Sequence, residues 1–166
     1  ISVTPGGTME LEGRELRNAL GRFATGVCLI TTTTQERLPI GMTANSFAAV
    51  SLDPPLVLWS LQNGSDVYRE YAAARSFSIN VLSREQTALA SQSARKGGHA
   101  LQQEHFRLGK YGAPMIRNAL VTFECELDAT HSGGDHLIIV GRVKHMSHRP
   151  TGKPLLFYSG GYGELH

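Results

Sequence analysis

Gly41-Met42-Thr43-Ala44-Asn45-Ser46-Phe47, followed by Ser51-Leu52-Asp53-Pro54-Pro55, is the stretch on which the reading of this chain turns. An apolar, threonine-rich run precedes it and a second apolar run follows, which puts it at the edge of a sheet. Gly41 permits close approach of the backbone by another group. Thr43, Asn45 and Ser46 offer hydroxyl and amide groups on a short arc, able both to donate and to accept. That mixture suits a flat heterocycle edged with carbonyls and ring nitrogens. A polar strand end running into a turn accounts for the same residues.

Working upstream, Val27-Cys28-Leu29-Ile30-Thr31-Thr32-Thr33-Thr34 is rich in β-branched residues and reads as a strand. Arg14 to Phe23 has helical period, with Leu16, Ala19, Leu20 and Phe23 on one face. Residues 1–13 read as a flexible N-terminal arm, with Pro5-Gly6-Gly7 inside it, and 14–166 as one domain.

Downstream, Pro54-Pro55 interrupts the sheet, because proline cannot serve a central ladder. Leu56 to Leu61 is the next strand. Gln62-Asn63-Gly64-Ser65-Asp66 then forms a donor-rich turn into a short helix, Val67 to Ala74, with Ser65 or Asp66 as N-cap. The start of that helix, beside Ser60 and Ser65, suits an anion; an ordinary capped helix fits equally. Phe77 to Leu82 is a strand. Ser83-Arg84-Glu85-Gln86 is a capping box that opens a helix running to about Ala94. His99 to Gly112 reads as a loop with a helical turn. Leu120 to Asp128 alternates, with Val121, Phe123, Cys125 and Leu127 on one face and Thr122, Glu124, Glu126 and Asp128 on the other, as in a half-buried antiparallel strand. Ser132 to Asp135 turns into a long strand from His136 to Met146, and Leu155 to Tyr158 is a last short one. Short strands, tight turns and few helices predict a mainly β protein built on a closed antiparallel sheet.

The chain has 166 residues, 41% hydrophobic and 18% charged, with a formal net charge of +2. Such a balance is globular, and without a basic block it excludes a nucleic-acid binder. There is neither a membrane-length apolar run nor a signal-peptide pattern, and the expected location is cytoplasmic. The two cysteines, Cys28 and Cys125, each in a strand-like run, are expected as buried free thiols. No metal site is expected, since paired close ligands are absent.

Gly21-Arg22-Phe23-Ala24-Thr25-Gly26-Val27, the stretch 41–47 and Ser51-Leu52-Asp53-Pro54-Pro55-Leu56-Val57-Leu58 together resemble the flavin reductase-like family. Gly134-Asp135-His136, Pro154 to Tyr158 and Gly160-Gly161-Tyr162 agree, in the family's order. The resemblance implies a split β-barrel with a few flanking helices, assembled as a homodimer. It implies an enzyme moving a hydride from NADH, with NADPH second, to FMN or FAD, and a separate monooxygenase that receives the reduced flavin. It points to Gly41, Met42, Thr43, Ala44, Asn45, Ser46, Ser60, Leu61, Gln62 and Ser65 at the flavin. Tyr158 and Tyr162 are candidate walls of its ring. His136 matches the histidine that lies beside the nicotinamide in related reductases. Where many members carry a Phe-Ala and then a Lys-Phe pair, this chain has Ser93-Ala94 and His105-Phe106. Ala94, Arg95 and Lys96 are the residues left to meet the flavin tail.

Among the seven histidines, His99, His105, His131, His145 and His148 sit in polar or turn-rich surroundings and read as ordinary. Asp135 is a possible charge neighbour of His136, although adjacent residues of a strand point to opposite faces. No Gly-x-Gly-x-x-Gly joins a strand to a helix, which excludes a nicotinamide domain of the Rossmann type. Two rival readings share the fold: a flavoprotein that retains its flavin and reduces another acceptor, and a flavin-binding module without turnover.

Overall fold

A computed structural model describes residues 12–166. The arm expected over 1–13 therefore lies almost wholly outside the described residues. In chain order the elements are α1 Gly13–Leu20, β1 Thr25–Gly26, β2 Cys28–Thr33, β3 Pro39–Ala44, β4 Ala48–Leu52, β5 Pro55–Gln62, α2 Tyr68–Ala72 and β6 Ser76–Val81. A 3₁₀ turn Arg84–Gln86 then leads to α3 Thr87–Ser93, followed by β7 Phe106–Leu108, β8 Pro114–Ile116, β9 Val121–Gly133, β10 His136–His148, β11 Leu155–Tyr158 and β12 Gly161–Glu164.

Seven strands form one antiparallel sheet in the order β3-β2-β6-β9-β10-β5-β4. The sheet curls around a single apolar core drawn from almost every strand. Trp59, fully buried, packs edge-on against Tyr71 at 5.5 Å and Phe77 at 6.1 Å, with Ile30, Ile79 and Ile139 around them. This is a split β-barrel. The expected closure is corrected: β3 and β4 remain edges with no ladder between them. Their connection crosses the barrel end instead, where Ser46 Oγ accepts the Ser60 N–H at 2.9 Å. A second, smaller core (Val27, Leu29, Leu82, Leu89, Leu155) seats α3 and β11 on the outside.

Several local expectations need correction. The first helix ends at Leu20 and buries none of its residues; Leu20 and Phe23 are 66% and 79% exposed. Its apolar stripe is thus presented outward. Short β4, β12 and the β7–β8 ribbon carry no legible period in the sequence, being too short or too glycine-rich to show one. The ribbon region also changes β9: Thr122 and Glu124, expected on a wet face, are buried. Both are satisfied. Thr122 donates to Asn80 Oδ1 at 2.9 Å, which also accepts from Ile116 N–H at 2.9 Å. Glu124 accepts from Lys110 N–H at 2.8 Å and pairs with His145 Nδ1 at 2.9 Å, so His145 is not an unpartnered surface histidine. Most buried polar groups in folded proteins have such partners.

Cys28 and Cys125 are free and buried. Burial pushes both thiols up to about 12, which keeps them out of thiolate chemistry. Among the described residues no group of three metal-ligating side chains comes together, and no helix is long and apolar enough to cross a membrane.

Candidate functional site

A cleft of about 450 Å³ opens where the end of β3, the end of β5, the start of β10 and the segment after α3 meet. The β5–β10 register sets His136 opposite Gln62 and Ile138 opposite Ser60. Period-2 alternation then turns Ser60 and Gln62 to the cleft and Leu61 into the core, where it is fully buried. Leu61 is therefore a wall of the barrel and not a cleft residue. Met42, Thr43, Ala44, Asn45, Ser46, Ser65, Ala94 and Lys96 complete the lining of the cleft on the β3 and α3 sides. A side cavity of about 170 Å³ shares Thr43, Ala44, Asn45 and Ala94 with it and is walled by Phe157 and Tyr162.

The remaining sequence candidates lie elsewhere. Gly41 is not on the cleft: a Cβ there would crowd Leu29 and Leu101, so its close approach serves packing. Arg95 points back toward Ser91, 3.4 Å from its hydroxyl. Tyr158 faces away and carries the Arg22 guanidinium 5.6 Å over its ring. Its neighbour Phe157 takes the inner position, stacked edge-on with Tyr162 at 5.6 Å. Strand alternation contained that signal, since residues 157 and 158 cannot share a face.

The polar residues of 43–46 divide their work. Thr43 donates its hydroxyl to the Ala90 carbonyl at 2.6 Å and so fixes α3 against β3. Ser46 is bound to the Ser60 backbone. Asn45 stays exposed on the cleft, and its amide has no protein partner among the described residues. The peptide edge matters as much. Gly41 N–H points away from β2 and donates to His99 O at 2.9 Å. Thr43 has the same parity in the β2 register, so its peptide also faces outward, with no strand beyond it among the described residues. An unpaired edge peptide, a free carboxamide and two serines beside a slot of drug-sized volume fit the rim of a flat heterocycle. Lys96 supplies a cation at one end. These residues therefore fit a flavin.

The expected anion site at the α2 start is corrected. The helix has five residues, begins at Tyr68 and lacks a side-chain cap. Ser65 Oγ accepts the Val67 N–H at 3.3 Å instead. Asp66 is directed to Gly97 N–H, at 2.7 Å, and to His99 Nε2, at 2.8 Å. His99, read as ordinary in the sequence, is buried and lines the cleft. The glycine pair just before it, Gly97-Gly98, was the available sign of a tight loop folded back on the sheet.

His136 and Asp135 do touch: Nδ1 donates to Oδ1 at 2.6 Å. Alternation does not separate them because Asp135 sits in the turn after Gly134 (φ 68°), outside the ladder. The hydrogen bond from His136 holds the Asp135 carboxyl below the usual carboxylate range. With Nδ1 engaged, Nε2 is the nitrogen left to meet a ligand. The two turns bearing this pair and Gln62 are tied together by Asn63 N–H to Asp135 O, 2.9 Å.

Fold and cleft define a small split-barrel protein with a slot at the barrel rim that fits a flat cofactor, His136 standing on the facing strand. Residues 20–166 match the family model described as flavin reductase like domain, and the chain belongs to that family. It is 46% identical over 97% of its length to the FMN reductase (NADH) SmoA of Agrobacterium fabrum, 89% of which is covered. It is 35% identical over 92% of its length to HsaB of Mycobacterium tuberculosis, the reductase subunit of a flavin-dependent monooxygenase, covering 82% of that protein. Among solved structures, the NADH:FAD oxidoreductase SgcE6 of Streptomyces globisporus, in complex with NAD and FAD fragments, superposes with a TM-score of 0.83. Identity there is 33%, over 95% of this chain and 98% of that one.

Proposed function

We propose that this chain is an NADH-dependent flavin reductase, the reductase component that supplies reduced FMN or FAD to a separate flavin-dependent monooxygenase. The observation that carries the reading is the cleft itself, which pairs an open peptide edge at Thr43 with His136 on the facing strand. The flavin, when bound, supplies the hydride-accepting chemistry. The chain's residues bind, orient and exclude water. Asn45 and the Thr43 peptide meet the ring edge; Ser46 and Ser60 brace each other at the rim; Phe157 and Tyr162 wall the side cavity. Lys96, with Ala94 beside it, serves the tail. His136, its Nδ1 held by Asp135, aligns the nicotinamide through Nε2. Hydride transfer needs no protein proton donor, so His136 is a positioning residue here.

The proposal includes a homodimer. It is supported by apolar side chains left outside the core, Leu52 at 97% and Phe23 at 79% exposure among them; a symmetric contact would cover one such patch with its own copy. It also includes a cytoplasmic location, which the two buried free thiols favour. NADH consumption with free flavin as the varied substrate tests the activity. A saturable, flavin-dependent rate is expected. No loss of nicotinamide absorbance would leave only a binding module, and a rate indifferent to added flavin would favour an enzyme that retains it.

A further inference from the structure

His99 has both ring nitrogens on oxygen acceptors. Nδ1 lies 3.1 Å from the Gly41 carbonyl and Nε2 2.8 Å from Asp66 Oδ1. A carbonyl has no proton to give, so Nδ1 is the donor there. A neutral imidazole would then turn a bare Nε2 lone pair toward a carboxylate oxygen. One more proton is needed, on Nε2 or on Asp66. The other carboxylate oxygen accepts Gly97 N–H at 2.7 Å, an interaction that favours the ionised acid. That bond is the leading reason the Asp66 carboxyl is held below its usual range. The proton therefore belongs to the ring.

We propose that His99 is a doubly protonated imidazolium that neutralises Asp66 and pins the segment 94–98, leaving Lys96, among the described residues, as the unopposed cation that receives a phosphate of the bound flavin. The ring joins three elements: β3 through Gly41, the turn after β5 through Asp66, and its own loop. That loop is tight, with Gly97 at φ 79° and Gly98 so close to the Gln92 carbonyl that a Cβ would collide. The His99 side chain is 7% exposed and that of Asp66 25%, so water screens the pair only in part. Without the second proton, Asp66 would stand as an anion in the cleft that Lys96 also lines. The other titratable side chain lining that cleft, among the described residues, is His136, with Asp135 hydrogen-bonded to it. Arg95, on the same segment, turns back to Ser91. The contribution is present while the ring holds both protons and is lost when one leaves.

The charge assignment stands on the hydrogen-bond geometry; its role toward a phosphate rests on the proposed function. Asp66→Asn separates them. Its amide oxygen accepts from Gly97 and its NH₂ donates to a neutral Nε2, so each hydrogen bond survives and the ion pair does not. FMN and riboflavin, which differ by the phosphate, are titrated by fluorescence quenching from pH 6 to 9. In the native chain FMN should lose affinity relative to riboflavin with rising pH, by roughly three- to fivefold, the upper range for a partly exposed ion pair. In Asp66→Asn that loss should vanish; the titration of the FMN phosphate itself, near pH 6, is common to both proteins. A loss that persists in Asp66→Asn would assign the titration to His136 and overturn the proposal, as would a native ratio indifferent to pH. Ring ¹⁵N spectra of the ligand-free protein decide the charge separately: the native His99 ring should keep both protons to higher pH than in Asp66→Asn, and an equal or lower titration would sink the assignment. Binding of neither flavin would count against the proposed function and against the phosphate role, with the ring's proton still read from the spectra.

Discussion

The cleft holds two histidine–aspartate pairs that look alike in composition and differ in every physical respect. At the mouth, His136 and Asp135 are neighbours in the chain, with side chains 40% and 87% exposed. Deeper in, His99 and Asp66 are 33 residues apart and largely covered. In the outer pair one ring nitrogen is held and the other is free for a ligand. In the inner pair both nitrogens are occupied, so the ring can only hold structure and charge. On the proposed reading, the same two side chains give a positioning group in one place and a clamp in the other. Solvent and the number of engaged atoms decide which.

The largest expected separation between the pairs is in stability. His99→Ala leaves Asp66 and the Gly41 carbonyl without their partner and should cost about 1–3 kcal/mol in urea unfolding, the range for leaving covered hydrogen-bonding groups unpaired. His136→Ala should stay within about 0.5 kcal/mol of the native value, as exposed positions do. Equal losses would erase the distinction. The next effect concerns the proposed flavin. Asn45→Leu should weaken flavin binding by roughly one to three kcal/mol, because a ring group loses its carboxamide partner. Fluorescence quenching reads it, and unchanged affinity in the folded variant would remove the 43–46 arc from the site.

His136→Ala should then act on the nicotinamide step alone. A fall of roughly tenfold in kcat/KM for NADH is expected, about one hydrogen bond, with flavin affinity nearly intact. Stopped-flow reduction of bound flavin divides the loss: a raised KM at constant kcat means uniform binding was lost, a lower kcat means alignment in the transition state was lost. An unaltered rate at every NADH concentration would reduce the outer pair to a turn feature. The smallest effect lies in acid. Asp66 has a folded carboxyl below its unfolded value of about 3.9. Its stabilisation is therefore present above that value and is lost as pH falls through the folded one. Thermal unfolding between pH 5 and 2 should lose less stability in Asp66→Asn than in the native chain. Asp135→Asn should depart from the native curve in the same direction but by less, since His136 holds its carboxyl low while water screens the pair.

Most of the sheet could be read from the chain because strand signals are local. The β-branched run before the organising stretch, the alternation of Leu120 to Asp128 and the turn at Ser132 to Asp135 each depend on residues next to one another. What failed locally was short or glycine-rich: β4, the β7–β8 ribbon and β12. Alternation also told against Leu61 and Tyr158 as cleft residues, since each is out of phase with the neighbour that lines the cleft or its side cavity.

By itself the sequence determined the mainly β fold, the family, the stretch 42–46 on one wall of the cleft, and His136 across from it. Local periodicity and short motifs carry that much. Only the tertiary structure decided that the barrel stays open between β3 and β4, that Gly41 serves packing, that Phe157 replaces Tyr158 at the wall, and that His99 enters the site. The return of the loop onto β3, where Ala100 bridges Ile40, is a non-local contact. Burial and the pairing of distant charges come from such contacts, and no spacing along the chain encodes them.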